Sequence, residues 1–469
     1  MSVTESQVDF NSLEQEIFRG CCQLGCDFLK DALADYDLVL SIRRDKSVYR
    51  CKGLRQTTLK TLMGEVEFSR SMYEVVGEDG TKSYVYLLDE ALGLNGSGFF
   101  SGLLSELIAK AACESSYRAA ARSVSELTGQ TISHTAAWNV VQQLGERLDA
   151  KEQESAMLAA KGEGKGKLEA PLLFEEQDGV MISLQGKSRK EHGAKREMKV
   201  GIAYDGAKKT GKKRYRLTNK VACATFENSR RFRWRKDGAI ASVYNVDEID
   251  QRCLNGDGAH WIRESQTDET VHFQLDPFHR NKAVLELVSA PDARKNIIKL
   301  LYSKQIDLLL EVLEAYANST EDEIERDDYL ELLRRFTKSK DGLVPCHQRG
   351  LNLPEPPEGK VYRHMGAMES NIFTIIGNRM KGRRACWSIK GGNNLARLLC
   401  LKATGKLVET LRSLSAFVLP EHYAEEIEIG LSAAKIPLQE GKGYNGFKQM
   451  LIPSSMPWMK GLAAQRPLC

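Results

Sequence analysis

The 469-residue chain is 42% hydrophobic and 28% charged with a net charge of +4, the balance of a sequence that builds globular cores. That excludes a disordered chain, a collagen-like fibre and a small disulfide scaffold, and no window approaches the ~18 uninterrupted apolar residues of a membrane-spanning helix. The opening MSVTESQVDF lacks a basic and apolar leader pattern, and the eleven cysteines form no CxxC pair, so reduced thiols in a cytoplasm are expected. A zinc site at Cys346-His347 is the sharper alternative, weakened because a tetrahedral cage wants two close ligand pairs.

Residues 1–97 read as a helix followed by a small sheet. Ser12 and Gln15 form a capping-box pattern, and Leu13, Ile17, Cys21, Leu24 and Phe28 recur at helical spacing. From Ser47 to Leu88 short β-like runs are broken by glycines, predicting three or four strands. Their polar positions are often basic (Arg50, Lys52, Arg55, Lys60, Arg70), compatible with either a DNA-binding face or an ordinary sheet surface.

Residues 98–150 read as helical and hold a helix-turn-helix pattern. Ser115 or Ser116 can cap a first helix with Ala119, Ala120 and Val124 inward. Gly129 supplies the turn, and Ser133 caps a second helix with Ala137, Val140, Val141 and Leu144 as its apolar stripe. His134, Thr135, Trp138, Asn139 and Gln142 are then left outward, residue types that read groove edges; a structural helical hairpin accounts for the pattern equally well. Residues 151–170, rich in Gly and Lys, read as a linker.

From residue 171 strands alternate with helices, which argues an α/β domain with at least one parallel pair. LLFEEQDGVMISL, EMKVGIAYDG, NKVACATF, RCLNGD and VHFQLD read as strands. A helix is predicted from Ser229 to Asn245 and another at PFHRNKAVLELV. Residues 282–345 read as an all-helical insertion, 346–411 as the return of the α/β domain, and 412–469 as a segment without recognisable chemistry. Between Lys187 and Lys236 there are 18 Lys and Arg against four acids, which fits either a solvated loop or a polyanion-binding surface.

Three carboxylates stand out. Asp178 interrupts an apolar strand, where an ionised group is costly unless a metal or hydrogen-bond donors compensate it. Asp257 ends a strand between two glycines, which leaves room for a bulky substrate. Glu369 lies near the start of a helix. Two Asp and one Glu from separate elements are the hard-oxygen set that two-metal phosphodiester chemistry uses.

The chain resembles the bacterial insertion-sequence transposases of the ISLre type, relatives of the Mutator-like group within the DDE transposase superfamily. The blocks GDGAHWI, LDPFHRNK and MESN…RR…CWS in this order carry the resemblance, which runs from about residue 50 to residue 400. It implies an RNase H-like catalytic domain with an all-helical insertion, preceded by a helix-turn-helix domain and a small N-terminal α+β domain. It also implies an Asp-Asp-Glu triad of Asp178, Asp257 and Glu369 holding two Mg²⁺ or Mn²⁺ ions. The first position departs from the family's denser acidic run, so Glu176 is a rival for it; residues 176 and 178 share one face of a strand. Asp276 and His279 become candidate auxiliary groups, and Arg383, Arg384, Trp387 and Lys390 candidate contacts to DNA. The expected partners are double-stranded DNA, as element ends and target, and further copies of the chain in a homodimer or larger assembly. A nuclease without strand transfer and a catalytically inactive DNA-binding protein are the alternative readings.

Overall fold

The computed structural model describes residues 9–94 and 100–414. A long helix, α1 (Phe10–Arg43), lies against a three-stranded antiparallel meander of β1 (Arg50–Lys60), β2 (Glu65–Val76) and β3 (Lys82–Val85), which α2 (Leu87–Ala91) follows. Alternation along β2 turns Val66 and Phe68 onto Cys26, Leu33, Leu59 and Leu88. The helix starts at Phe10 without a side-chain cap, so Ser12 and Gln15 lie inside its first turns rather than at its boundary. Three of the five basic positions suspected of contacting DNA are neutralised: Lys52 by Glu74 at 3.1 Å, Lys60 by Glu65 at 2.7 Å and Arg70 by Asp89 at 2.6 Å.

Next come α3 (Gly102–Glu114), α4 (Tyr117–Thr128) and α5 (His134–Ala160), whose N-termini are capped by the hydroxyls of Ser101, Ser116 and Ser133. Gly129 is left-handed at φ 68° and ends α4. The two predicted helices and the turn between them are present, but α5 continues through Ala160, well into the stretch expected to be a linker. Nor does the rest of that stretch hang free, because the Gly166 N–H donates to Ala241 O at 2.7 Å and the Leu168 N–H to Val243 O at 3.2 Å.

The second part is built on β4 (Leu172–Ser183), α6 (Gly186–His192), β5 (Lys195–Tyr204), the hairpin β6 (Ala207–Lys209) and β7 (Tyr215–Leu217), β8 (Val221–Thr225), α7 (Ser229–Ala241), β9 (Gln251–Gly256), α8 (His260–Arg263) and β10 (Val271–Leu275). Five strands form one mixed sheet in the order β10-β9-β4-β5-β8. The pairs β4–β5 and β5–β8 are antiparallel, while β9 runs parallel to both β4 and β10. The chain is therefore of mixed α/β class, as its alternation predicts.

Four helices, α9 (Pro277–Leu287), α10 (Pro291–Tyr302), α11 (Ile306–Ser319) and α12 (Glu323–Lys338), then pack with β9 and β10 around a core of their own. The return segment carries α13 (Met368–Ile372), a π-helical turn over Phe373–Gly377, α14 (Asn378–Met380), α15 (Ile389–Ala403) and α16 (Leu407–Leu414). The expected C-terminal segment lies outside the described residues from 415 onward.

The largest core joins the sheet to α13–α16 and also to α3–α5. Helices α3–α5 thus share one core with the sheet. Gly145 permits the close crossing of α5 and α15, since a Cβ there would fall 2.4 Å from the Asn394 Cβ. Arg235 of α7 bonds Asp149 at 2.7 Å and Glu152 at 3.3 Å, and Arg397 of α15 reaches the same two acids.

Both faces of β4 are covered around Glu175 and Glu176, and these two acids are each compensated. Glu175 pairs with Lys236 of α7 and with Arg252 at 3.3 Å. Burial alone would raise the Glu175 carboxyl, but these two cations overcome that and hold it below its ordinary range. Removing one partner strands a buried charge, so Lys236→Met is expected to destabilise the fold by about 3–5 kcal/mol, with much of the loss restored in the Glu175→Met, Lys236→Met double variant. Denaturant unfolding measures both. Because the folded carboxyl is held low, the contribution of the pair is present above the unfolded carboxyl value and lost as pH falls through the folded one.

Candidate active site

The site grows from the parallel pair β4–β9. In register, Glu176 stands opposite Asn255, so two residues further on Asp178, midway along β4, and Asp257, just past the end of β9, are neighbours. Such strands run ~4.8 Å apart. The proximity has an electrostatic signature: burial raises the Asp257 carboxyl, and Asp178 and Glu197 raise it further, against the Ala259 N–H and His279. Gly258, at φ +86°, turns the chain out of the strand, and Asp257 Oδ1 accepts from the Ala259 N–H at 2.8 Å.

His279 completes this cluster from the first turn of α9. Asp276 caps that helix by accepting from the N–H groups of Phe278 at 2.9 Å and His279 at 3.3 Å. The cap sets the imidazole so that Nε2 lies 3.5 Å from Asp178 Oδ2. The hydrogen bond to Asp178 raises the His279 imidazole above its ordinary value, burial opposes this, and Asp276 and Asp257 add to the rise. Asp276 also accepts from Asn255 Nδ2 at 2.6 Å, so it positions α9 rather than facing open space.

Glu176, the rival first acid, is fully buried. Its carboxylate accepts from the Tyr204 hydroxyl at 2.7 Å, Asn255 Nδ2 at 3.1 Å and the N–H groups of Gly366 at 3.0 Å, Ala367 at 3.2 Å and Met368 at 3.2 Å. These bonds saturate it and pin the start of α13, which carries Glu369, onto β4. Glu369 itself is exposed in the first turn of α13. Between α13 and α14 the backbone widens into the π-helical turn, a distortion frequent at functional sites.

Among the described residues no three His, Cys, Asp or Glu side chains close into a metal cage. Asp178 and Asp257 are brought together with His279, and Glu369 is anchored to the same strand through Glu176. The pair of hard oxygen donors suits a cation such as Mg²⁺, which binds through one or two carboxylates and keeps water and substrate phosphate as further ligands. The zinc alternative finds no support in the donors: Cys346 is buried and hydrogen bonded to Cys253, and His347 packs edge-on against His364 at 4.5 Å.

Next to Asp257 and His279 opens a cleft of about 540 Å³ whose far wall is α12, including Arg334, Arg335 and Lys338, with Lys282 on the α9 side. The helical insertion thus forms one bank of the site. Sequence reasoning missed this wall, along with Asn255, Tyr204 and Glu197. The embedded polar Asn255, one turn of the pleat before Asp257, was the readable signal.

The candidate DNA contacts divide. His134, Thr135 and Trp138 are exposed at the start of α5, and Asn139 is half-buried. Gln142 is not outward as expected; it is buried and accepts from Asn394 Nδ2 at 2.9 Å, because α15 covers that side of α5. Trp387 is likewise no open stacking platform. It is buried, donates from Nε1 to Met380 O at 3.0 Å and lies edge-on to Tyr117. Arg384 is exposed with φ 56°, Lys390 is exposed but paired with Glu146 at 2.7 Å, and the Arg383 side chain lies outside the described residues. In the basic stretch 187–236, Arg235 and Lys236 are buried in ion pairs, whereas Lys208, Lys209, Lys212, Lys213, Arg214 and Arg216 of the β6–β7 hairpin are exposed.

Residues 3–413 match the sequence profile of the uncharacterised protein family UPF0236. The chain belongs to the UPF0236 family. It is 25% identical over 464 residues to the UPF0236 protein in the vanSb 3′ region of Streptococcus gallolyticus, covering 97% of this chain and 92% of that one. A UPF0236 protein of Caldanaerobacter subterraneus subsp. tengcongensis is 23% identical over 408 residues, 86% of this chain and 79% of the relative. Another from the same strain, under a name that joins eleven TTE locus labels, is 22% identical over 393 residues, 82% of this chain and 75% of the relative.

The ion pair gives the first test of the site. The His279 imidazole is expected to titrate above the ordinary histidine value and to fall toward it in Asp178→Asn, as followed by NMR. With the folded value raised, the pair's contribution to stability is present below the unfolded histidine value and disappears as pH rises through the folded one.

Proposed function

We propose that this UPF0236 protein is a DNA transposase with an RNase H-like catalytic domain. The observation that carries the reading is the placement of Asp178, midway along the central strand β4 just past its last pairing with β9, beside Asp257, which follows the end of β9, in a sheet of order β10-β9-β4-β5-β8, with the acid-bearing α13 bonded onto the same strand through Glu176. That strand order, with β5 the one antiparallel neighbour of β4, fits the RNase H-like expectation. A relative's name that spans eleven loci of one strain fits a sequence copied about a genome.

In this reading Asp178 and Asp257, with Glu369 brought in from α13, would hold divalent ions, which when bound supply Lewis-acid chemistry at a phosphodiester. His279 holds and orients the Asp178 carboxylate. Asp276 fixes the helix that carries His279, and Glu176 fixes the helix that carries Glu369. The Arg334, Arg335 and Lys338 wall takes the phosphate backbone beside the scissile bond, and the exposed start of α5 with His134, Thr135 and Trp138 meets the element ends. Water attacks at the element end and frees a 3′-OH, which attacks target DNA in line, and no Ser or Tyr covalent intermediate is needed.

Asp257→Asn and Glu369→Gln are expected to abolish cleavage of a terminal-repeat substrate in Mg²⁺ or Mn²⁺ while leaving end binding nearly intact. Equal loss of binding would make these residues structural, cleavage without strand-transfer product would make the protein a nuclease, and binding without cleavage in the unsubstituted protein would make it a DNA-binding protein only. Arg334→Ala and Lys338→Ala should each weaken binding across sequences and reduce the slope of log K against log salt by about 1.

A further inference from the structure

The N-terminal helix carries an apolar face that its own sheet does not use. The face turned to the meander is the one with Cys26, Leu33 and Asp37, flanked by Leu29, Tyr36 and Leu40. On the opposite side the residues at alternating spacings of four and three from Phe10 to Ile42 are all exposed. Seven of these ten positions are Phe10, Ile17, Cys21, Leu24, Phe28, Leu38 and Ile42; the other three are Glu14, Asp31 and Asp35. Phe28 is 72% exposed and Ile42 68%. Alternating steps of four and three are the a and d positions of a heptad, the pattern that fits one straight helix against another. Packing onto a sheet does not require so regular a seam, and here the sheet takes the other face.

We propose that α1 is a dimerisation helix that pairs antiparallel with α1 of a second copy of this chain. The charges choose the orientation. In a parallel pair Glu14, Asp31 and Asp35 would each meet its own copy across the seam, three like-charge contacts. In an antiparallel pair centred between Leu24 and Phe28 every a position meets a d position. Leu24 then meets the partner's Phe28, Phe10 the partner's Ile42 and Ile17 the partner's Asp35. Cys21 lies against the partner's Asp31 and Glu14 against the partner's Leu38, so no two acids oppose each other. Apolar layers sit at the centre and at both ends, and the acids occupy the intervening layers, where polar core residues fix register at some cost in stability. A seam of ten positions on each helix removes roughly 1,500 Å² from water in total, within the range of stable interfaces. The inference stands apart from the catalytic reading, since it uses no residue of the site.

Size-exclusion chromatography with light scattering on the full chain without DNA is expected to give a dimer, and Leu24→Asp, Phe28→Asp a monomer with unchanged far-ultraviolet circular dichroism and a melting temperature that no longer depends on concentration. Both positions are exposed, so loss of fold would not be the cause. For orientation, chains in a Cys21→Ser, Cys22→Ser background carry either Leu24→Cys or Phe28→Cys. Mixed, they should cross-link under mild oxidation more readily than either chain with itself. A monomer at all concentrations, a dimer untouched by the aspartate variants, or cross-links from Leu24→Cys to residues outside α1 would overturn the proposal. Preferential cross-linking of each chain with itself would overturn the antiparallel arrangement.

Discussion

The mixed-sheet half of the molecule is organised around the satisfaction of one buried carboxylate. Glu176 sits in the middle of the central strand with no exposure, where an unpaired charge costs several kcal/mol. Five donors answer it, from β5, from β9 and from three successive backbone N–H groups at residues 366–368. Those three N–H groups introduce α13 and are 190–192 residues away in sequence. The bonds that solvate the Glu176 carboxyl are therefore the same bonds that fix where the start of α13 can be. A carboxylate accepts about four hydrogen bonds, so the five donors occupy Glu176, and under the proposed function the first acid is Asp178.

The acids of β4 and β9 form a gradient from structural to available. Glu175 is consumed by Lys236 and Arg252 on the α7 side of the sheet, and Glu176 by its five donors on the other side. Asp178 and Asp257, just beyond the last residues that pair β4 with β9, have far fewer partners: the next backbone N–H and His279 for one, the Ala259 N–H for the other. The sheet thus compensates its charges wherever it is closed and leaves them under-compensated where it opens onto the cleft. Burial and mutual repulsion at Asp257 mark a place where positive charge would be welcome.

What could be read from the sequence follows from how local each signal is. The strands and α9 were legible because β-like alternation and a Pro at the helix start are local, and Asp178 and Asp257 because an acid set in an apolar strand is conspicuous without knowledge of the fold. Faces of helices were harder. Gln142 looked outward from a two-helix view, but α15, some 250 residues later, covers it. Trp387 looked like a stacking surface and is packed on Tyr117. Arg235 and Lys236 read as part of a basic surface because Asp149, Glu152 and Glu175, which draw them into the interior, lie 60 or more residues away, although Glu227, eight residues before Arg235, also pairs with it. In α1 the apolar periodicity was visible and its direction was not: Ile17, Leu24 and Phe28 point away from the sheet, since a sequence shows that a stripe exists before it shows what covers it.

The continuity of α5 has a mechanical consequence. Its first turn presents His134, Thr135 and Trp138, while Asp149 and Glu152 near its other end clasp Arg235 of α7 and Arg397 of α15. A helix of 27 residues rises about 40 Å at 1.5 Å per residue, and with both flanking helices ion-paired to it the element cannot swivel as a tethered reader would. A flexible linker lets a binding module sample many positions relative to a catalytic centre; a single rigid helix allows one. Under the proposed function, DNA held at the start of α5 would therefore be presented to Asp178 and Asp257 at a fixed distance and angle. Recognition of an element end and the position of the cut would be set by the same piece of structure.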